Sequence, residues 1–280
     1  MMDVGKKAVE EGGAYKMEVR LLENKKDENK ISFIIKDSNA SYANALRRII
    51  MEEVPVMAIE DVEIRKNSSI LYDEIIAHRL GLLPLTTDLK SYNLPEKCKC
   101  EGRGCARCQV KLTLQTSKGS GMIYASEIKS KDSAIKPVYP KMPIVKLLKN
   151  QQLELEAIAV LGRGKIHSKW SPCLVYYKKK PVVEIGNVKN PEEVVDKTHG
   201  NIFEIRNNKL EVVKENLFKY DLAGIAEEVS NDEIKVTYVD DYIFNVESWG
   251  QLSCKEIVTK AIEIFNEQLD EFTEKIKKAK

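Results

Sequence analysis

Four cysteines, Cys98, Cys100, Cys105 and Cys108, stand within eleven residues in a C-x-C-x4-C-x2-C run. Four thiolates at this spacing can enclose one Zn²⁺ tetrahedrally, with Zn–S of about 2.3 Å. Gly102 and Gly104 let the chain turn back between the two pairs. Lys97, Lys99, Arg103 and Arg107 interleave with the ligands. A zinc tetrathiolate is formally −2, so these cations offset its charge and favour the thiolate form. No histidine or carboxylate base accompanies the run in a way that suggests an open coordination position, so it reads as a closed structural site and not a hydrolytic one. Disulfides, a redox pair at Cys105 and Cys108, and an iron–sulfur cluster remain open alternatives. The spacing matches no common ferredoxin run.

Other chemical signals are weaker. Residues 162–165 read GRGK, a fragment of a phosphate loop. The full pattern needs glycine at 159 and serine or threonine at 166, where the chain has Ala159 and Ile166. A basic turn between strands is the better reading. His167 lacks a nucleophile nearby in sequence and, like His78, reads as structural. Asp240 and Asp241 read as turn residues. Cys173 and Cys254 read as small buried side chains. Catalytic residues are expected to be none.

The remaining composition bounds the class. The 280 residues include 45 Lys and Arg against 43 Asp and Glu, for a formal charge of +2. Such a balance gives no overall field for nucleic acid or an anionic membrane. No stretch approaches the ~20 apolar residues of a membrane-spanning helix. The opening MMDVGKKAVEEGG lacks the apolar core of a secretory signal. The expected location is the reducing cytoplasm, where clustered cysteines favour a metal.

The elements that must carry these residues alternate in period. Residues 1–14 read as frayed. Tyr15–Leu22 and Lys30–Lys36 read as a hairpin with a loose loop. A helix follows, capped by Ser38, Asn39 or Ser41, with Ala43, Leu46, Ile49 and Ile50 as its apolar stripe and Pro55 as its stop. Between about 56 and 170, MAIEDVEI, KLTLQTS and QLELEAIAV alternate as strands. A helical turn, ILYDEIIAHRLGLLPL, interrupts them, and KPVYPKMPIVKL reads as an irregular connection. Residues 172–230 read as a compact α+β unit of strand, helix, hairpin turning at Asn207–Asn208, and helix. EIKVTYVDDYIFNVES reads as two strands. Ser253 and Glu256 then form a capping box opening a helix to about Lys277. Ile257, Ala261, Ile264, Phe265, Leu269, Phe272 and Ile276 line one side of it. At ~35 Å it is long enough to bury part of that stripe outside its own domain.

Several of these segments, in this order, resemble one family. ANALRRIIMEEVPVMAIEDVEI, LYDEIIAHRLGLLPL, LGRGKIHSKWSP and FNVESWGQLSCKEIV look like the assembly subunits of multisubunit RNA polymerases. This is the bacterial alpha and eukaryotic third-largest-subunit family, and the archaeal D subunits are its nearest pattern. The resemblance spans roughly 15–275. It implies an α+β chain with an alpha-subunit-like dimerisation domain from 1–52 and 231–280, interrupted by a mainly β insert domain at 53–171. A small ferredoxin-like α+β domain occupies 172–230. The implied function is that of a non-catalytic scaffold subunit of DNA-dependent RNA polymerase. It would pair with the small alpha-like subunit L to form the platform for the large catalytic subunits, and meet DNA only through the complex. Ile257, Ala261, Phe265, Leu269 and Phe272 are then interface candidates, and Arg47 and Arg48 a contact for a large subunit. A similar cysteine loop binds zinc in eukaryotic relatives, which favours one structural Zn²⁺ at Cys98, Cys100, Cys105 and Cys108.

The resemblance also carries a departure. Some archaeal relatives hold iron–sulfur clusters in the ferredoxin-like domain. Here Thr198 and His199 stand in place of Cys-Pro, and Tyr220, Ala223 and Ala226 occupy the other thiolate positions. No iron–sulfur cluster is therefore expected. The competing reading is a free-standing zinc-binding module that contacts nucleic acid through the cations of its cysteine loop.

Overall fold

A computed structural model describes residues 17–116, 120–207, 209–231 and 233–279. Residues 1–14, Tyr15 at the start of the first expected strand and Asn208 in the expected hairpin turn lie outside the described residues. The chain is α+β, with a β-rich insert. It divides into two compact units, each assembled from several stretches of chain. Among the described residues, one comprises those up to 22 with 32–43 and 177–245, the other 23–31, 44–176 and those from 246 on.

A four-stranded sheet has the order β1 (Glu18–Lys25), β2 (Lys30–Lys36), β12 (Ile234–Ser248), β9 (Cys173–Ile185). The first two form the expected hairpin, but the loop is tighter than expected. The strand runs on to Lys25, a single 3-10 turn spans Lys26–Glu28, and Asn29 closes it at φ 53°. Asparagine tolerates that left-handed conformation. β9 passes through Pro181, which an edge strand accommodates because the missing N–H can face away from the ladder.

The expected pair of strands around Asp240 and Asp241 is one continuous strand, which corrects the turn reading. Each carboxylate meets a lysine of β9: Asp240 lies 2.8 Å from Lys179 Nζ and Asp241 3.1 Å from Lys180 Nζ. Asp241 also accepts from the Asp37 backbone N–H at 3.2 Å. Two adjacent acids stay extended because the sheet supplies a partner for each.

α1 (Ala40–Glu52) is capped by Asn39, whose Oδ1 accepts from the Tyr42 N–H at 2.8 Å. Ala43, Leu46, Ile49 and Ile50 are its buried stripe. The 172–230 stretch contains α3 (Pro191–Lys197), the hairpin of β10 (Phe203–Arg206) and β11 (Lys209–Val212), a short α4 (Lys214–Leu217) and α5 (Ala223–Val229).

The insert is built on an antiparallel sheet of order β3 (Val56–Asn67), β8 (Leu153–Gly162), β4 (Gln109–Gln115), β6 (Lys129–Ser130). Alternate residues of β8, Leu153, Leu155, Ala157 and Ala159, face the core. There they meet Leu112 and Leu114 of β4, and Ile76 and Leu80 of α2 (Asp73–Gly81). Part of the expected irregular connection is a strand: β7 (Pro143–Leu147) pairs with β5 (Gly121–Tyr124). Pro143 sits at the strand's first position, where proline is tolerated.

The GRGK segment is the expected turn after β8, and two close approaches explain its glycines. A Cβ at Gly162 would fall 2.3 Å from the Trp170 ring. One at Gly164 would fall 2.3 Å from the Met51 carbonyl oxygen at the end of α1. Backbone cannot yield as a side chain can. Gly164→Ala is expected to lower stability by about 1–3 kcal/mol, read as a fall in the urea midpoint at unchanged slope. His167 has the structural task expected of it: its Nδ1 accepts from the Lys169 N–H at 3.1 Å. Lys169 donates to Ile59 O at 3.0 Å, pairs with Glu60 and lies over the Trp170 ring. His78, read as structural, is exposed on α2.

α6 (Cys254–Lys278) opens with the expected capping box. Ser253 Oγ accepts from the Glu256 N–H at 3.3 Å, and Glu256 accepts from the Ser253 N–H at 2.9 Å. Cys254 and Cys173 are buried as expected, and the Cys254 thiol donates to Asn29 O.

Candidate metal centre

The cysteine loop leaves the core of the insert and returns to it within a few residues. A 3-10 turn, Pro95–Lys97, delivers Cys98, and β4 begins directly after Cys108. Three successive reversals bring the two pairs together. Glu101, Gly102 and Gly104 take positive φ of 54°, 75° and 91°. The Asn93 N–H donates to Arg107 O at 2.8 Å and closes the loop at its base.

All four Sγ atoms lie within 4.8 Å of one another. Sγ–Sγ distances are 3.5 Å for Cys98–Cys105 and Cys98–Cys100, 3.4 Å for Cys100–Cys108 and 3.8 Å for Cys105–Cys108. A disulfide needs about 2.05 Å. The edge of a tetrahedron with four Zn–S bonds of about 2.3 Å is about 3.8 Å. The donor set and its spacing therefore fit a tetrahedral metal ion, and the group can hold one.

The thiols are not equivalent. Hydrogen bonding with the Cys108 and Cys98 thiols holds Cys100 down to about 6. Burial pushes Cys108 up to about 12. The Cys105 N–H points at Cys108 Sγ at 3.2 Å, a donor that favours the thiolate. Cys98 and Cys108 are buried, while Lys97, Lys99, Arg103 and Arg107 are exposed around them.

The other candidate residues occupy α1 and α6. Arg47 donates twice to Asn44 Oδ1, at 3.0 and 3.2 Å, and Arg48 pairs with Glu52 at 3.3 Å. A cleft of about 310 Å³ brings Arg48, Ala45 and Ile49 of α1 together with Phe265 and Gln268 of α6. On α6 the expected stripe divides in two. Ile257 and Ala261 are 0% exposed and fill the chain's own interior. Phe265 is half-buried, whereas Leu269, Phe272 and Ile276 are 49%, 62% and 47% exposed.

The set is joined by the exposed Ile262 and the half-buried Val258, which the sequence reading missed. Val258, Ile262, Phe265, Leu269, Phe272 and Ile276 alternate at spacings of four and three. This is a heptad seam, roughly 80° round the helix from the buried face. The alternation was visible in the sequence, but a single broad stripe merged two faces.

In the 172–230 stretch, Thr198, Ala223 and Ala226 are buried, and Tyr220 is exposed. The Thr198 hydroxyl donates to Val194 O at 2.7 Å. Ala223 and Ala226 pack with Val194, Phe203 and Leu217. His199 adopts φ 54° ahead of Gly200. Among the described residues, no helix is long and apolar enough to cross a membrane.

Comparisons with known proteins add to this geometry. Residues 62–172 match the family described as the RNA polymerase Rpb3/RpoA insert domain. The chain is 37% identical over 256 residues to DNA-directed RNA polymerase subunit Rpo3 of Methanosphaera stadtmanae, covering 88% of this chain and 94% of that protein. Rpo3 of Pyrococcus furiosus is 38% identical over 264 residues, covering 94% and 98%. Rpo3 of Archaeoglobus fulgidus is 34% identical over 256 residues, covering 91% and 96%.

Proposed function

Because the chain belongs to the Rpo3 family of DNA-directed RNA polymerase subunits, we propose that it is a non-catalytic assembly subunit of that polymerase in the cytoplasm. The α6 seam docks the small alpha-like subunit L, and the pair is the platform for the large subunits. The observation that carries this reading is a heptad repeat, exposed at Ile262, Leu269, Phe272 and Ile276, on a helix whose other apolar face is already used. From Asn266 to Ala279 every residue of α6 and its cap is exposed. A 3.5-residue apolar repeat is covered by a second helix crossing at about 20°. The positions flanking the seam are Thr259, Asn266 and Thr273 on one side and Ala261, Gln268 and Lys275 on the other, so Lys275 is the one charged flank and pairing rests mainly on apolar fit. Arg47 and Arg48, on α1, are proposed to face a large subunit.

In this reading residues 1–52 and 231–280 form the dimerisation domain, 53–171 the insert, and 172–230 a ferredoxin-like domain without a cluster. The family match over 62–172 supports the insert's extent. Cys98, Cys100, Cys105 and Cys108 hold one structural Zn²⁺. The metal supplies a tetrahedral cross-link that takes the place of a local apolar core. The protein's part is to bring the four thiols within reach, to aim the Cys105 N–H at a sulfur and to surround the site with cations.

Those cations do not favour the nucleic-acid reading. Glu96 and Glu101, together with the two residual charges of a zinc tetrathiolate, offset the four basic residues, leaving no local excess for phosphate. Co-expression with the small alpha-like subunit is expected to yield a stable 1:1 complex. A soluble monomer indifferent to that subunit would contradict the proposal.

A further inference from the structure

The Gly162–Lys165 turn has a task that neither phosphate binding nor the α6 seam explains. Arg163 lies between two carboxylates on different elements. Its Nη2 is 3.7 Å from Glu96 Oε1, on the turn that delivers Cys98. Its Nη1 is 3.8 Å from Glu53 Oε2, just past the end of α1. Lys165 Nζ is 3.6 Å from the other Glu53 oxygen, and the Lys165 N–H donates to Glu52 O at 3.0 Å. The Glu53 side chain is only 14% exposed. A carboxylate this far from water needs compensation, and two cations of one turn provide it. The same turn satisfies an orphan carbonyl at the end of α1 and places positive charge where the helix dipole favours it. Gly164 lets the turn sit directly against Met51 O.

We propose that Arg163 is a positioning residue that couples metal loading of the cysteine loop to the order of the last turn of α1. This rests on the reading of the loop as a metal site. With Zn²⁺ bound, Cys98 is anchored, the Pro95–Lys97 turn is fixed and Glu96 stays within reach of the guanidinium. With the metal removed, the turn loses its anchor and Arg163 keeps Glu53 alone. The last turn of α1 carries Arg48, Ile49 and Glu52, which line the cleft shared with Phe265. Metal occupancy thereby sets how firmly one wall of that cleft is held. Coupling of this kind is reciprocal, so a partner that orders α1 also raises zinc affinity.

The test is amide hydrogen exchange on the full chain, zinc-loaded against chelator-stripped, with bound zinc counted in the same samples. Zinc is expected to slow exchange in residues 49–54 roughly two- to fivefold, the range a partly exposed carboxylate–guanidinium pair supports. Residues 73–81 of α2 are expected to stay unchanged and serve as the internal reference. Arg163→Gln should keep one zinc per chain and lose the protection. Glu96→Gln, which alters an exposed side chain and leaves Glu53 compensated, should do the same. Zinc uptake without protection in the wild-type chain would overturn the coupling alone, as would equal protection in both variants. A wild-type chain that takes up no zinc would overturn the metal reading and the coupling together.

Discussion

A chain carrying Leu269→Asp and Phe272→Asp is expected to fold as the wild type does and to lose its partner helix. Both side chains are exposed in the isolated chain, as is every residue from Asn266 to Ala279. Surface substitutions of this kind cost the chain itself only a few tenths of a kcal/mol. In a paired seam each carboxylate would be buried without a counter-charge, at a cost of several kcal/mol. Affinity for the small alpha-like subunit should fall at least ~100-fold, which corresponds to about 2.7 kcal/mol. Titration calorimetry or size-exclusion chromatography of the mixture checks this. Ile257→Asp makes the contrast. Ile257 is 0% exposed within the chain, so that substitution should unfold the protein before any partner is added. A double variant that binds normally would move the interface away from the seam.

Cys105→Ser is expected to weaken zinc binding by roughly 10²–10³-fold while leaving the insert folded. Structural zinc sites with four protein ligands contribute about 10–16 kcal/mol at neutral pH, so one thiolate accounts for a few of these. Competition with a chromophoric chelator measures the loss. The insert's core of Leu80, Leu85, Leu112, Leu114 and Leu155 does not include the loop's central residues. Thermal melting should therefore shift modestly, with the change confined to local exchange around 98–108. Acid should act in the same direction. Zinc binds thiolates, and burial pushes Cys108 up to about 12, so a proton competes with the metal there throughout the neutral range. Zinc affinity is expected to rise with pH and to fall as protons reclaim the thiols. Undiminished binding in Cys105→Ser would remove that residue from the ligand set.

The features legible in the sequence are those written locally. The capping box of Ser253 and Glu256 spans four residues, and the structure contains both of its hydrogen bonds. The cysteine run is local in the same sense, since its glycines turn the chain within a handful of residues. The ordered motifs that resemble the polymerase assembly subunits were equally legible, and the relatives bear that resemblance out. What was misread depends on distant chain. Asp240 and Asp241 look like a turn until Lys179 and Lys180 arrive from a strand sixty residues earlier. β5 and β7 are short, and each becomes a strand only against the other. The stripe of α6 mixed an interior face with an outer seam because both are apolar and adjacent. Only the burial of Ile257 and Ala261 separates them.

The proposed function requires that the chain enter an RNA polymerase through the α6 seam. Its most direct test is recovery of the tagged full chain from cells in native buffer, followed by mass spectrometry of the purified material. The predicted result is a complex holding a small alpha-like subunit and the large polymerase subunits in fixed ratio, reduced to the chain alone in the Leu269→Asp, Phe272→Asp variant. Recovery of the wild-type chain without polymerase subunits, or of an intact polymerase with that variant, would contradict it.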